Sequence, residues 1–204
     1  MEYLVVGTGR SGTGFMSRLL TMNGIPCGHE KVFKIRLPNV DYAECIRSTR
    51  LRGESSWLAA PHLDDIKTSM APDLQVIQIT RNPIKVIKSF IALTVNTSNT
   101  NKSFVPYIPF LESDDMFDVL IQYYISWYRF IEKHAEITLD IDNFDYDLLS
   151  SFLGKPMRHL DEIINTKDNL KKVKISWEVI EYAIQSSYKY PELKKLCEEY
   201  NFVV

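Results

Sequence analysis

The residues that most constrain what this chain can fold into are Tyr3 to Leu20, with the sequence YLVVGTGRSGTGFMSRLL. The apolar run Tyr3 to Val6 predicts a strand, and apolar residues at helical spacing from Phe15 to Leu20 predict a helix. Glycines at positions 7, 9, 12 and 14 indicate a tight turn between the two. The sequence therefore predicts a strand, a glycine-rich loop and a helix in direct succession.

A loop of this kind is typical of a site for a phosphate-like anion. The first N–H groups of the helix have no intrahelical partner, and the positive end of the helix dipole points at the loop. The glycines let the backbone approach an anion closely. Arg10, Ser11 and Thr13 add a positive charge and two hydroxyl donors. The alternative is a glycine-rich turn that binds no ligand.

Two common nucleotide patterns fit the loop only in part. The ATP and GTP pattern GxxxxGK[ST] is met at Gly7 and Gly12, but Thr13 stands where the pattern requires a lysine. The dinucleotide pattern GxGxxG also fits, but it needs an acidic residue about 20 positions on, at the end of a second strand. Glu30 lies near that distance, yet the preceding residues NGIPCGH have no clear strand pattern. The kind of phosphate ligand stays open at this point.

Length, charge and cysteine content limit the class of protein. The chain has 204 residues, which suits one domain, 1–204, and its formal net charge of −2 argues against a nucleic-acid surface. Three widely spaced cysteines predict neither a zinc site nor a disulfide framework. The first residues lack the pattern of an export segment, and no apolar run is long enough for a membrane span. We therefore expect a cytoplasmic protein without a membrane or nucleic-acid partner.

Strand and helix patterns alternate along the chain and predict an α/β fold. The further predicted strands are Glu54 to Ala60, Leu74 to Thr80 and Ala135 to Ile141. Helical patterns separate them, and the C-terminal third is predicted to be helical. Such alternation implies right-handed crossovers, a central parallel sheet and a three-layer α/β/α arrangement. The polar segment Val95 to Asp114, which contains several aromatic residues, is predicted to be a binding loop.

A second candidate anion site follows the strand Leu74 to Thr80. Ligands of parallel sheets bind at the carboxyl ends of the strands, where this chain has Arg81, Asn82 and Pro83, with Ser89 in the next helix. A guanidinium beside a helix N-terminus can hold an anion. If this segment is considered by itself, a second interpretation is equally good: Arg81 is a surface residue paired with a carboxylate, and Ser89 is packed in the helix without a ligand.

Together, the two segments resemble the sulfotransferase superfamily that uses 3′-phosphoadenosine 5′-phosphosulfate (PAPS). In that family a loop, commonly [KR]-[SG]-G-T, holds the 5′-phosphosulfate, and an R-[DN]-P segment with a later serine holds the 3′-phosphate. The matching positions here are Arg10 to Thr13, Arg81 to Pro83, and Ser89. The resemblance covers residues 3–90, with a weaker match at LDIDNFDYDL, and it implies a P-loop NTPase-like fold.

The resemblance also implies a donor and the residues that bind it. The donor would be PAPS, released as 3′-phosphoadenosine 5′-phosphate (PAP), and no metal would be required. Arg10 has the position of the family's catalytic lysine, whose charge stabilises the departing phosphate. Phe15 matches a position where many members place an aromatic ring against the adenine, although a core role on the first helix explains it as well. The implied donor-binding residues are Gly9, Arg10, Ser11, Gly12, Thr13, Gly14, Phe15, Arg81 and Ser89.

The acceptor hydroxyl needs a base, and several families of the superfamily carry a catalytic glutamate after the first helix. Glu30 is the preferred candidate because a carboxylate within hydrogen-bond reach can take the proton of a hydroxyl. His29 is the second candidate and His62 the third. Alternatively, Glu30 is exposed or pairs with a nearby lysine or arginine. The expected acceptor is a sugar or another small hydroxylated molecule.

The sequence departs from the family pattern at one segment, and two other functions stay open. The glycine-rich segment RKGxxGxW, with which cytosolic members close over the nucleotide, is absent from this sequence. A P-loop nucleotide kinase or other NTPase is one alternative, and the missing lysine at Thr13 argues against it. A catalytically inactive nucleotide-binding protein is the other.

Overall fold

The structure is a computed structural model of the chain. It describes residues 1–34, 40–97, 105–108, 113–158 and 176–202. Two sequence predictions fall largely outside these residues: the helix predicted at Arg158 to Ile164 and the binding loop predicted at Val95 to Asp114.

Five parallel strands form one sheet, in the order β2-β3-β1-β4-β5. The strands are β1 (Tyr3–Gly7), β2 (Cys27–His29), β3 (Gly53–Ser55), β4 (Gln75–Thr80) and β5 (Ile137–Asp140). The central strand β1 pairs with β3 on one side and with β4 on the other. The prediction of an α/β fold with a parallel sheet is therefore confirmed.

Helices flank the sheet, and the C-terminal region is helical, as predicted. The described α-helices are α1 (Thr13–Met22), α2 (Tyr42–Ser48), α3 (Leu63–Asp65), α4 (Pro83–Thr97), α5 (Met116–Ile131), α6 (Tyr146–Leu153), α7 (Trp177–Ser186) and α8 (Tyr190–Glu199). Within this part of the chain, no helix has both the length and the apolar character needed to cross a membrane.

Two compact units can be distinguished in the chain. The first comprises Met1–Thr80 and Phe130–Lys167, and it contains the whole sheet. All of β1 is buried, and its Val5 packs in one core cluster with residues of α1, β4, β5 and α6. A strand buried on both faces needs the continuous apolar run that the sequence shows at Tyr3 to Val6.

The second unit comprises Arg81–Arg129 and Asp168–Val204. Most of α5 belongs to it, and α5 places Tyr123, Tyr124, Trp127 and Tyr128 in the interior, each with 0% exposure. These residues recur at helical spacing along one face, and their burial shows that this aromatic stripe belongs to the core.

Two strand predictions need correction. The segment without a clear strand pattern, NGIPCGH, contains β2, whose three residues form the edge of the sheet beside β3. The strand predicted at Glu54 to Ala60 is shorter, because β3 ends at Ser55 and a 3₁₀ helix runs from Trp57 to His62. The Ser56 hydroxyl accepts a hydrogen bond from the N–H of Leu58 and begins that helix.

The end of β1 yields a prediction about stability. A Cβ on Gly7 would overlap the Ile79 carbonyl oxygen and the Ser11 hydroxyl, so we expect Gly7→Ala to lower the free energy of unfolding by about 1–3 kcal/mol. Gly14→Ala is the matched control because its Cβ would meet the His29 ring at an ordinary 3.5 Å. Alanine also has the higher helix propensity, by up to about 1 kcal/mol. Urea unfolding measures both variants, and equal losses would contradict the prediction.

Candidate functional site

The loop between β1 and α1 is closed by its own hydrogen bonds. The Ser11 hydroxyl donates to the Thr8 carbonyl at 2.6 Å, and the Ser11 N–H donates to the same oxygen at 3.1 Å. Arg10 and Gly12 both have left-handed backbones, with φ of 71° and 109°. Backbone N–H groups in turns of this kind form concave sites that suit anions.

The start of α1 is also suited to an anion. Gly12 is the N-cap residue of α1, and no side chain caps this end of the helix. The Cα of Gly12 packs against Ile141, and a Cβ there would lie 2.9 Å from that side chain. Glycine is therefore required at this position by both its conformation and its surroundings. The remaining loop residue of the predicted set, Gly9, is buried, while Arg10 is exposed.

His29 lies beside the first residues of α1. Its Nε2 is 3.3 Å from the Thr13 hydroxyl and 3.6 Å from a carboxylate oxygen of Glu30. The His29 and Glu30 side chains are 42% and 30% exposed, so both reach solvent. Thus the two preferred base candidates lie together, and His29 contacts a residue predicted to bind the donor.

Glu30 has an unusual backbone conformation. Its φ is +54°, and among the described residues only Arg10, Glu30 and Asn201 combine a positive φ with a side chain. Its N–H donates to the Ser55 carbonyl at 3.3 Å. A positive φ costs free energy for a residue with a side chain, and it persists only where the surrounding structure holds it. Such residues are found most often at functional sites.

Glu54, which the sequence pattern does not mark as a site residue, is fully buried in β3. Its Oε1 accepts hydrogen bonds from the N–H groups of Lys31 at 2.5 Å and Val32 at 3.0 Å. Its Oε2 is buried and has no hydrogen-bond partner among the described residues. Burial raises the pKa of Glu54, and the charge of Glu30 raises it further. The available signal was a carboxylate at the start of an otherwise buried strand, where charged residues are rare.

Phe15 and His62 both have aromatic neighbours. The Phe15 ring packs edge-on against Phe144 with centroids 5.4 Å apart, at the border of the core cluster. This contact fits a core role, and the adenine contact stays a prediction. The His62 ring lies 5.0 Å from that of Tyr42, and burial lowers the pKa of His62.

In the second unit, two buried tyrosines hold the backbone of Arg81. The Tyr124 hydroxyl donates to the Arg81 carbonyl at 2.5 Å, and the Arg81 N–H donates to the Tyr128 hydroxyl at 3.3 Å. The two hydroxyl oxygens are 2.7 Å apart. Burial raises the pKa of both tyrosines, so they stay neutral and keep these hydrogen bonds. No local pattern in the sequence indicates these hydrogen bonds.

The other predicted residues of the second unit lie just before α4 or within it. The Asn82 side-chain oxygen accepts the Ile84 N–H at 3.0 Å, and Pro83 is the first helical residue, as its fixed φ favours. Ser89 is buried within the helix, with 4% exposure. The anion-binding role of Arg81 and Ser89 stays a prediction.

Comparisons with known proteins assign no family. No protein-family model matches the chain, and no curated protein matches it. The five-strand parallel sheet and its strand order are compatible with P-loop-like folds. Within the described ranges, no group of three or more histidine, cysteine, aspartate or glutamate residues could hold a metal ion.

The raised pKa of Glu54 generates a prediction about pH. The folded chain keeps a proton on Glu54 above the usual pKa of 4.5, where the unfolded chain has lost it. The free energy of unfolding therefore falls as pH rises from 4.5 through the raised pKa. Glu54→Gln removes this titration and keeps an oxygen for the two N–H groups. We expect its free energy of unfolding, measured in urea, to fall less with rising pH than that of the unmodified chain. Parallel pH profiles would contradict this.

Proposed function

We propose that this chain is a sulfotransferase that transfers the sulfuryl group of PAPS to a hydroxyl of a small acceptor, such as a sugar. The observation that carries the proposal is the arrangement at the start of α1. An uncapped helix and a loop with left-handed residues at Arg10 and Gly12 stand next to His29, which contacts Thr13 and Glu30. An anion site beside two proton acceptors is what transfer from a phosphosulfate to a hydroxyl requires.

The donor side of the reaction is assigned to the loop and Arg10. As the sulfuryl group leaves, negative charge builds on the oxygen that linked it to the phosphate, and a fixed positive charge there lowers the barrier. Arg10 supplies a permanent charge that can contact two oxygens at once. Thr13, where an ATP-binding loop has lysine, disfavours the kinase and NTPase alternatives.

The acceptor side is assigned to Glu30, with His29 as the second choice. The acceptor oxygen forms a bond to sulfur while the bond from sulfur to the phosphate oxygen breaks, and the hydroxyl proton passes to the base. Glu30 and His29 are both partly exposed, so a hydroxyl from solvent can reach either. If His29 takes the proton instead, the Glu30 carboxylate, 3.6 Å from His29 Nε2, stabilises the positive charge that the imidazole acquires.

Arg81 and Ser89 are assigned to the 3′-phosphate on the basis of the sequence resemblance. A donor with phosphate groups on both sides of its nucleoside needs a second anion site, which ATP does not need. The hydrogen bond donated by Tyr124 to the Arg81 carbonyl and the one that Tyr128 accepts from the Arg81 N–H fix the backbone of Arg81, which favours a defined position for its side chain.

The proposal predicts which nucleotide binds. We expect PAP to bind tightly in titration calorimetry and ATP to bind weakly with or without Mg²⁺, because the loop lacks the lysine that contacts the β- and γ-phosphates. Tight ATP binding without PAP binding would overturn the proposal and favour a kinase or NTPase.

A variant of Arg81 tests whether this residue binds the 3′-phosphate end of the nucleotide. Arg81→Ala should weaken the binding of PAP by about tenfold or more. The binding of adenosine 5′-phosphate, which lacks the 3′-phosphate, should stay almost unchanged. Equal losses for both ligands would remove Arg81 from the 3′-phosphate site.

The assignment of the base gives a second prediction. Glu30→Gln keeps the size and hydrogen-bonding capacity of the side chain but cannot accept a proton. We expect turnover to fall by about 10²–10⁴-fold while PAP affinity is kept, measured as PAP release from PAPS with a panel of hydroxylated acceptors. Glu44→Gln, at an exposed glutamate of α2, is the control. Full activity in Glu30→Gln would move the base to His29 or His62.

A further inference from the structure

We propose that Glu54 is a positioning residue that holds the turn after β2, so that His29 and Glu30 stay at the start of α1. The role of that turn in catalysis rests on the proposed function, but the placement of the turn does not. The proposal stands on hydrogen bonds that two neighbouring residues of β3, Glu54 and Ser55, make to the segments on either side of the site.

The first of these contacts is made by the buried carboxyl group of Glu54. Its Oε1 accepts hydrogen bonds from the N–H groups of Lys31 and Val32, the two residues that follow Glu30 in the turn. Glu54 is 0% exposed, and a carboxyl group is costly to bury unless it satisfies other buried groups. Gly28 makes room for it, because a Cβ there would overlap the Glu54 Oε2. The carboxyl group is therefore built into the turn.

The second contact explains how Glu30 keeps a strained backbone. The Glu30 N–H donates to the Ser55 carbonyl, and the next two N–H groups along the chain donate to Glu54. Three successive N–H groups are thus held by two consecutive residues of β3. This anchoring offsets the cost of a positive φ at Glu30 and fixes the direction in which its side chain leaves the backbone.

The third contact links the same strand to α1. The Ser55 hydroxyl donates to the Thr13 carbonyl at 2.7 Å, and the Thr13 hydroxyl lies 3.3 Å from His29 Nε2. β3 therefore fixes both the first turn of α1 and the turn that carries His29 and Glu30. Loss of the Glu54 carboxyl group frees the turn that carries His29 and Glu30 and leaves the first turn of α1 in place.

The test compares four variants of the full chain. Glu54→Leu removes both acceptor oxygens, Glu54→Asp shortens the reach of the carboxylate, and Glu54→Gln keeps an acceptor oxygen. Ser56→Ala is the matched control, because Ser56 directly follows β3 and is equally buried, but its hydroxyl accepts a hydrogen bond from the Leu58 N–H. The readouts are the NMR resonances of the Glu30 to Val32 amides and of the His29 ring, PAP affinity by calorimetry, and turnover of PAPS.

We expect Glu54→Leu to shift the turn amides and the His29 ring resonances and to lower turnover by about 10²-fold, with PAP affinity unchanged. Glu54→Gln should keep most of the native resonance positions and most of the turnover. Ser56→Ala should leave the turn resonances and turnover as they are. If Glu54→Leu does not fold, Glu54→Asp should show the same changes in smaller size. Unshifted turn resonances in the Leu or Asp variants, or equal loss of turnover in Ser56→Ala, would overturn the proposal.

The resonance measurement needs no substrate, so the two proposals can fail separately. Shifted turn resonances in a chain that binds no PAP would support the placement by Glu54 and overturn the sulfotransferase proposal. PAP binding and turnover that persist in Glu54→Leu with unshifted resonances would overturn the role of Glu54 and leave the proposed function standing.

Discussion

The lack of space at the carboxyl end of β1 is the constraint on which the rest of the site depends. Gly7 lies so close to the Ile79 carbonyl of β4 and to the Ser11 hydroxyl that no side chain fits. Gly12 is similarly close to Ile141 and has a left-handed backbone. These two positions let the chain leave the strand and begin α1 within five residues. A wider loop would separate the helix N-terminus from the strand end and weaken its use as an anion site.

β3 has a role in the site that its length does not suggest. It has only three residues, yet it supplies the buried carboxyl group of Glu54 and the hydroxyl and carbonyl groups of Ser55. Strands of a parallel sheet usually contribute apolar side chains, because both faces are covered. Burying polar groups in such a strand costs free energy, and hydrogen bonds to the turn and to α1 offset that cost. The strand thereby connects the two segments that hold the candidate site residues.

The parts of the fold that could be predicted are those with strong local patterns. β1 and β4 have continuous or alternating apolar residues, and the glycines and Pro83 mark the turns before α1 and α4. β2 could not be predicted, because its three residues form a strand only through pairing with β3. The candidate site residues Arg10, His29 and Glu30 come from the glycine pattern and the family resemblance, and their roles stay predictions. Glu54 and Tyr124 were missed because their hydrogen bonds join residues 22 to 43 positions apart, which no local pattern reveals.

The residue at position 13 distinguishes the sequence of this loop from that of an ATP-binding loop. In the ATP pattern the residue after the last glycine is a lysine that contacts the phosphates. Here it is Thr13, which is buried, and its hydroxyl lies against His29 rather than carrying a charge. The positive charge of the loop therefore has to come from Arg10, which precedes the helix and is exposed. Under the proposed function, Arg10 would supply the charge at the departing phosphate, and His29, which contacts Thr13, would lie beside the acceptor hydroxyl.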